Sequence, residues 1–239
     1  MPVHLPTFVV NLRRRPDRRE RIAAQLSGHV DASYTSDWDG LFDGADITRQ
    51  ALANAGHDLY PWAVASPNPW WNRPLRLGEI GCTLSHLACW REGASTGAPY
   101  FMVLEDDATL FPSFFDQLAE GLAEVRVREQ PGLIYLARCP MEADEPAWPG
   151  FVRPGFSYCT WGYLLSHEAA LTLLAAGLDR ALMPIDEFLP AMYMEHPRPD
   201  VRARFSPRIS ALAFDPPLLE TPEHVLGDSD TEASDAVCW

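Results

Sequence analysis

Apolar and polar positions follow two different periods along this chain, and each change of period marks an element. Phe8-Val9-Val10-Asn11-Leu12 is a short apolar run suited to a buried strand. It breaks at Arg13. Pro16 then sits where a helix can begin, and Ile22 and Leu26 give that helix an inward stripe. Residues 27 to 76 hold no clear period; they carry Gly, Pro, Asp and Trp38, Trp62, Trp70 and Trp71, a pattern of loops packed by aromatics. Order returns at Gly78, where Ile80, Leu84, Leu87 and Ala88 repeat at helical spacing up to Arg91, with Gly93 closing the helix. Pro99 precedes Tyr100 to Leu104, a continuous apolar run of the kind buried on both faces in a parallel sheet. Ser113 is placed to cap a helix whose Phe115, Leu118, Leu122 and Val125 form one stripe. Leu133 to Ala137 and Cys159 to Leu165 read as further strands, and Ser166 to Gly177 as a capped helix. Strands alternating with helices predict an α/β sandwich of three layers built on a mostly parallel sheet.

Composition narrows the picture. With 239 residues, 47% of them hydrophobic, the chain can bury a full core as one domain over 1–239. From Asp215 onward there are seven carboxylates and no Lys or Arg, so an acidic tail is expected over about 226–239. The net charge of −14 argues against attraction to nucleic acid or to an anionic membrane. Every strongly basic side chain is Arg, and the absence of Lys excludes a Schiff-base mechanism. Five cysteines with no C-x-x-C spacing read as reduced thiols. No signal peptide is read at the N-terminus, and the longest uncharged apolar stretch, Ala169 to Leu178, is about half of a membrane span. A cytoplasmic protein with no membrane span is expected.

The apolar strand at Tyr100 ends abruptly in Glu105-Asp106-Asp107, and this triplet is the strongest chemical signal. Ligands of open α/β sheets bind outside the carboxyl ends of the strands. Side chains two apart share a face, so Glu105 and Asp107 can point together, and hard oxygen ligands suit Mg²⁺ or Mn²⁺. The competing reading is a polar strand exit in which Asp caps a turn. Six Arg lie between Arg13 and Arg21, after the first strand. Guanidinium matches phosphate, and Arg13 and Arg14 are nearest the strand; a solvated helix face paired with Asp17 and Glu20 is the alternative. Gly78 and Gly81 permit close approach of a backbone or a ligand, and Ser85 and His86 follow two turns into that helix. Asp186-Glu187 lie in an apolar setting that raises a carboxyl pKa, as a general base requires, although Asp186 could equally cap a helix starting at Glu187. His224 lies beyond the last apolar run, where it could complete a metal shell.

In their order, these segments resemble glycosyltransferase family 25, and within it the catalytic domain of the procollagen galactosyltransferases. The resemblance runs from about Phe8 to Glu232 and rests on Val10-Asn11-Leu12-Arg13-Arg14-Arg15, on Gly78-Glu79-Ile80-Gly81-Cys82 with Leu84-Ser85-His86, and on Glu105-Asp106-Asp107. Leu133-Ile134-Tyr135, Tyr158 with Thr160, the run Pro184 to Pro190, His196-Pro197 and Ser229 to Glu232 fit as well. The family implies a GT-A-like (Rossmann-like) fold, a nucleotide-sugar donor, Mn²⁺ (or Mg²⁺) and inverting transfer, with galactose from UDP-galactose onto a hydroxyl of a protein or glycan. It implies that Asp107, Glu105 and His224 hold the ion. Asn11, Leu12, Arg13, Arg14, Ser85, His86, Glu105 and Asp106 would serve the donor, and Asp186 or Glu187 would be the base. A lipooligosaccharide or other glycan transferase using a different sugar, a metal-dependent hydrolase and a non-catalytic sugar-nucleotide-binding module are the competing functions.

Overall fold

The structure is a computed structural model, and it describes residues 5–221, 229–231 and 233–239. Strand β1 (Thr7–Val10) leads through helix α1 (Pro16–Leu26) to β2 (Ala32–Tyr34). A short helix α2 (Arg49–Ala55) and the long α3 (Leu77–Ser95) precede β3 (Tyr100–Glu105) and β4 (Thr109–Leu110). Helix α4 (Phe114–Arg128) is followed by β5 (Leu133–Pro140), the hairpin β6 (Glu145–Trp148) and β7 (Phe151–Arg153), and β8 (Ser157–Ser166). Helices α5 (His167–Ala175), α6 (Ile185–Tyr193) and α7 (Pro199–Arg204) lead to β9 (Ala211–Phe214) and β10 (Leu219–Glu220).

Among the described residues the main sheet has eight strands in the order β2-β1-β3-β8-β5-β9-β7-β6. The pairs β1–β2, β1–β3 and β5–β9 are parallel, whereas β8 runs antiparallel between β3 and β5. Only β8 and β7 oppose the other strands, so the sheet is mostly parallel, as the apolar runs predict. Period 2 along β3 splits the core into two layers. Phe101 and Val103 face α3, α5 and α6, while Met102 and Leu104 face α1 and α4. Each fully buried side chain of this size contributes roughly 1.5–3 kcal/mol.

Three expectations are corrected. Residues 27 to 76 contain α2, which Thr48 caps by accepting the Ala51 N–H and Gly56 ends with φ +75°. Gly93 does not close α3 but lies inside it, where an added Cβ would stand 2.4 Å from the Phe101 ring; glycine lets the helix lie against β3. In α4 the core-facing aromatic is Phe114, not Phe115. Chain direction places the carboxyl ends of β1 and β3 side by side, with Val10 opposite Glu105 and the Asp106 N–H donating to the Val10 carbonyl at 3.1 Å. The chain turns from β1 to β2 on one side and places β3 on the other, the kind of crevice in which open α/β sheets bind ligands.

Candidate active site

Two adjoining cavities open at this crevice, one of about 490 Å³ and one of about 290 Å³, and Cys82, Glu105 and Asp107 line both. The larger is walled by Asn11, Leu12, Arg14, Arg18, Ser85 and Asp106 together with Gly44 and the stretch around Asp230. The smaller is walled by Trp62, Trp70, Tyr158, Thr160, Trp161 and Asp186.

The triplet divides as strand geometry requires. Asp106 turns toward α1, accepting the Asn11 Nδ2–H at 2.7 Å and an Arg18 N–H at 3.2 Å. Glu105 and Asp107 turn to the boundary between the cavities. Burial pushes Asp107 up to about 7, with the charges of Glu105 and Asp106 adding to it. Its Oδ1 is buried with no hydrogen-bond partner among the described residues, and its other oxygen is 3.9 Å from Arg18. Burial also raises Glu105, but the hydrogen bonds from His86 and Thr160 outweigh it and hold this carboxyl below its usual range.

Strand β8 carries an irregularity that builds the second wall. Between the pairs Ala137–Gly162 and Cys139–Tyr158, Arg138 alone on β5 faces Cys159, Thr160 and Trp161 on β8. Such a bulge re-aims side chains. Here Thr160 reaches both Glu105 Oε1, at 2.5 Å, and Asp186 Oδ1, at 3.3 Å. Cys159 takes φ +68° within the bulge.

Asp186 does not cap a helix starting at Glu187; it lies in the first turn of α6, after Pro184 at the cap. A helix N-terminus favours a carboxylate. Burial and the Glu105 charge win nevertheless, and Asp186 is pushed up to about 8. Glu187 lines the same smaller cavity but is already held by other side chains. It is 2% exposed and accepts from Trp71 Nε1 (2.8 Å) and the Tyr158 hydroxyl (3.0 Å), with His196 Nε2 at 2.8 Å. Those partners occupy its oxygens and make it a tie between α6 and the Trp-rich loop.

Two expected donor residues are not brought to a cavity wall. Arg13 donates to the Ser36 and Trp38 carbonyls and pairs with Asp39, because the chain after β2 offers it acceptors on the far side. His86 is fully buried. Trp90 Nε1 donates to the Tyr163 oxygen at 2.7 Å, and His86 Nδ1 is hydrogen-bonded to the same hydroxyl at 2.8 Å. Its Nε2 lies 3.4 Å from Glu105. Among the described residues, the ligand atoms of Cys82, His86 and Glu105 lie within 4.8 Å of one another.

Arg18, not singled out within the arginine run, is the buried cation of the site, with Asp106, Asp107 and Asp230 within 4 Å. Arg14 pairs with Asp43 and Asp230 at the mouth of the larger cavity. Ser85 lines that cavity while its hydroxyl donates to the Gly81 carbonyl. Gly81 itself meets a backbone: a Cβ there would lie 2.2 Å from the Phe42 carbonyl oxygen. His224 lies outside the described residues. No helix among the described residues is long and apolar enough to cross a membrane.

A family model described as glycosyltransferase family 25 (LPS biosynthesis protein) matches residues 4–138, more than half of the chain. The chain belongs to glycosyltransferase family 25. Family members similar to it include a probable inactive glycosyltransferase 25 family member 3 from Bos taurus. That protein is 38% identical over 236 residues, covering 95% of this chain and 39% of its own length. Procollagen galactosyltransferase 1-A from Xenopus laevis is 36% identical over 249 residues, covering 97% of this chain and 38% of that protein. The chain thus spans about two fifths of the length of these curated relatives. Among solved structures, mannose-1-phosphate geranyltransferase from Thermus thermophilus aligns with a TM-score of 0.41 and 12% identity over 89% of this chain and 74% of that one, a likeness too slight to bear on function.

Proposed function

We propose that this family 25 domain is a divalent-cation-dependent inverting glycosyltransferase, taking galactose from UDP-galactose in the first instance and passing it to a hydroxyl of a protein or glycan. The observation that carries this reading is the meeting of Glu105, Asp107 and Asp186 where the two cavities join, with Asp107 raised to about 7 and Asp186 to about 8. Carboxyl groups that burial and mutual repulsion hold so far up are poised for a cation or a proton.

A cation fits the residues present, because Asp107 Oδ1 is a buried acceptor without a partner and the donor set is hard oxygen. Asp107 and Glu105 would hold Mn²⁺ or Mg²⁺, with His224 as a further ligand. The bound ion would neutralise charge on the departing diphosphate. The larger cavity has the size of a small-molecule site. In it Asn11, Leu12 and Ser85 would take the nucleoside, and Arg14 and Arg18 the phosphates. Asp106 acts through its bonds to Asn11 and Arg18, fixing both.

On the other side of the junction Asp186 would remove the proton from the acceptor hydroxyl. A base near the working pH balances the fraction ionised against driving force. Thr160, bonded to both Glu105 and Asp186, sets the spacing between the donor and acceptor sides. The aromatic walls at Trp62, Trp70 and Trp161 would cover the acceptor and exclude competing water. Glu187 serves as a structural tie.

Acceptor-dependent UDP release, measured over a panel of UDP-sugars with Mn²⁺ or with chelator, tests the proposal. Release that needs both acceptor and cation and disappears in Asp107→Ala supports it; full activity in that variant refutes the metal assignment. The second reading, a sugar-nucleotide-binding module without turnover, is favoured by the relatives named inactive. It predicts UDP-sugar binding with no release under any condition.

A further inference from the structure

Helix α3 and strand β3 bring together a second set of ligand atoms, different in kind from the carboxylates at the cavity junction. Cys82 and His86 are four apart on α3, so they share one face of it, and Glu105 ends β3 opposite that face. The Cys82 Sγ, a ring nitrogen of His86 and a carboxylate oxygen of Glu105 all lie within 4.8 Å of one another. His86 is fully buried, yet its Nε2 has only long contacts, 3.4 Å to Glu105 Oε1 and 3.4 Å to the Thr160 hydroxyl. Both exceed the roughly 2.7–3.2 Å usual for a nitrogen–oxygen hydrogen bond. The other nitrogen, Nδ1, is held at 2.8 Å by the Tyr163 hydroxyl, which Trp90 Nε1 anchors in turn. A partner of that kind orients a metal-binding imidazole and fixes which nitrogen faces the ion.

We infer that Cys82, His86 and Glu105 form a site for a thiophilic divalent cation of the zinc class, and that its occupation draws Glu105 away from Asp107 and inhibits transfer. The site itself stands on these three side chains; the inhibition rests on the reading of Glu105 as a ligand of the catalytic ion. Thiolate, imidazole and carboxylate are all ligands that Zn²⁺ takes, and three protein ligands leave a fourth position open. In a tetrahedral site with bonds of about 2.0–2.3 Å, ligand atoms stand roughly 3.3–3.7 Å apart. The separation of His86 from Glu105 already has that value, and the whole set needs to draw in by about 1 Å. Cys82 and Glu105 line both cavities, which give the ion its way in and the open position its solvent. On binding, the Cys82 S–H releases its proton to solvent and the sulfur becomes a thiolate ligand. Mn²⁺ and Mg²⁺ prefer oxygen and stay with Asp107. Sulfur thus separates the two sites, and Glu105 couples them.

Co²⁺ reports such a site directly, because sulfur bound to cobalt gives a near-ultraviolet charge-transfer absorption that oxygen and nitrogen ligands do not. The intact, reduced chain is titrated with Co²⁺ alone, without nucleotide. The expected result is that band in the wild type, saturating at one equivalent, displaced by Zn²⁺ and lost in Cys82→Ser, which keeps the size of the side chain. No band in the wild type overturns the site, and so does a band that survives in Cys82→Ser, which would place the ion on another cysteine. UDP release in Mn²⁺ is then followed against rising Zn²⁺, each protein being compared with its own activity before Zn²⁺ is added. Half-inhibition should need about tenfold or more Zn²⁺ in Cys82→Ser than in the wild type, since even the partner that supports a ligand is worth about that much, and added Mn²⁺ should relieve it. Equal sensitivity of the two proteins puts the inhibitory Zn²⁺ on the carboxylates and overturns the coupling. A chain that shows the cobalt band yet transfers from no donor refutes the transferase reading and leaves the metal site standing.

Discussion

Asp107→Asn should make the metal-free protein more stable, not less, and the gain should depend on pH. The side chain is 17% exposed, and burial together with Glu105 and Asp106 moves its carboxyl from 3.8 to about 7. The ionised form is the disfavoured one. The stability tied to this group is therefore fully present below about pH 4 and is lost as pH rises toward 7. At about 1.4 kcal/mol per pH decade, the full displacement corresponds to roughly 4 kcal/mol. Water in the adjoining cavities and the nearby Arg18 charge relieve part of it, so a gain of about 1–3 kcal/mol is expected from asparagine, which keeps the shape and removes the charge. Urea unfolding in the presence of chelator, at steps from pH 4.5 to 8.5, measures the difference between variant and wild type. It should grow up to about pH 7 and then level off. With Mn²⁺ the order should reverse at pH 8, because only the wild type gains binding energy. A variant less stable than wild type at pH 8, or a difference that does not change with pH, would refute the reasoning.

Glu187→Ala should lower stability by about 3 kcal/mol by stranding the buried His196 ring and the partly buried Trp71 and Tyr158 donors, whereas Asp186→Asn should keep the fold and UDP affinity but lose turnover; urea unfolding and UDP titration separate the two. Gly81→Ala forces a methyl against the Phe42 carbonyl, so a loss of about 1–3 kcal/mol is expected, with weaker UDP binding because the 42–44 segment lines the larger cavity. Trp70→Ala should raise the acceptor KM by about tenfold and leave UDP affinity unchanged, since Trp70 lines only the smaller cavity; equal loss of both would show that the two cavities do not divide donor from acceptor.

Much of this architecture is legible in local pattern. The β3 run and the acid triplet at its end announce a buried strand with a polar mouth, and the structure places both there. The antiparallel course of β8 is not legible, because a strand buried on both faces shows the same apolar run whichever way its neighbours run. Arg18 was legible in principle. It shares one helical face with Ile22 and Leu26, both buried, so its spacing points it inward while Arg13 and Arg14 precede the helix. His86 carries the same signal, four residues before the buried Trp90 on a helix whose inner face is continuous. The bulge that aims Thr160 has no such mark. It arises from the pairing of distant strands, and the residues that fill it are ordinary strand formers. The difference between Asp186 and Glu187 is likewise tertiary, since both line the smaller cavity but Trp71, Tyr158 and His196 from distant segments take up the Glu187 oxygens.

The most direct test of the central claim is a titration of the chain with Mn²⁺ in the presence of UDP, following the free-ion electron paramagnetic resonance signal and the protons released. The account predicts a single saturable site in the wild type, proton release near pH 7 as the ion displaces the Asp107 proton into solvent, and loss of both in Asp107→Asn. Equal Mn²⁺ uptake by the two proteins, or uptake with no release of protons at that pH, would contradict it.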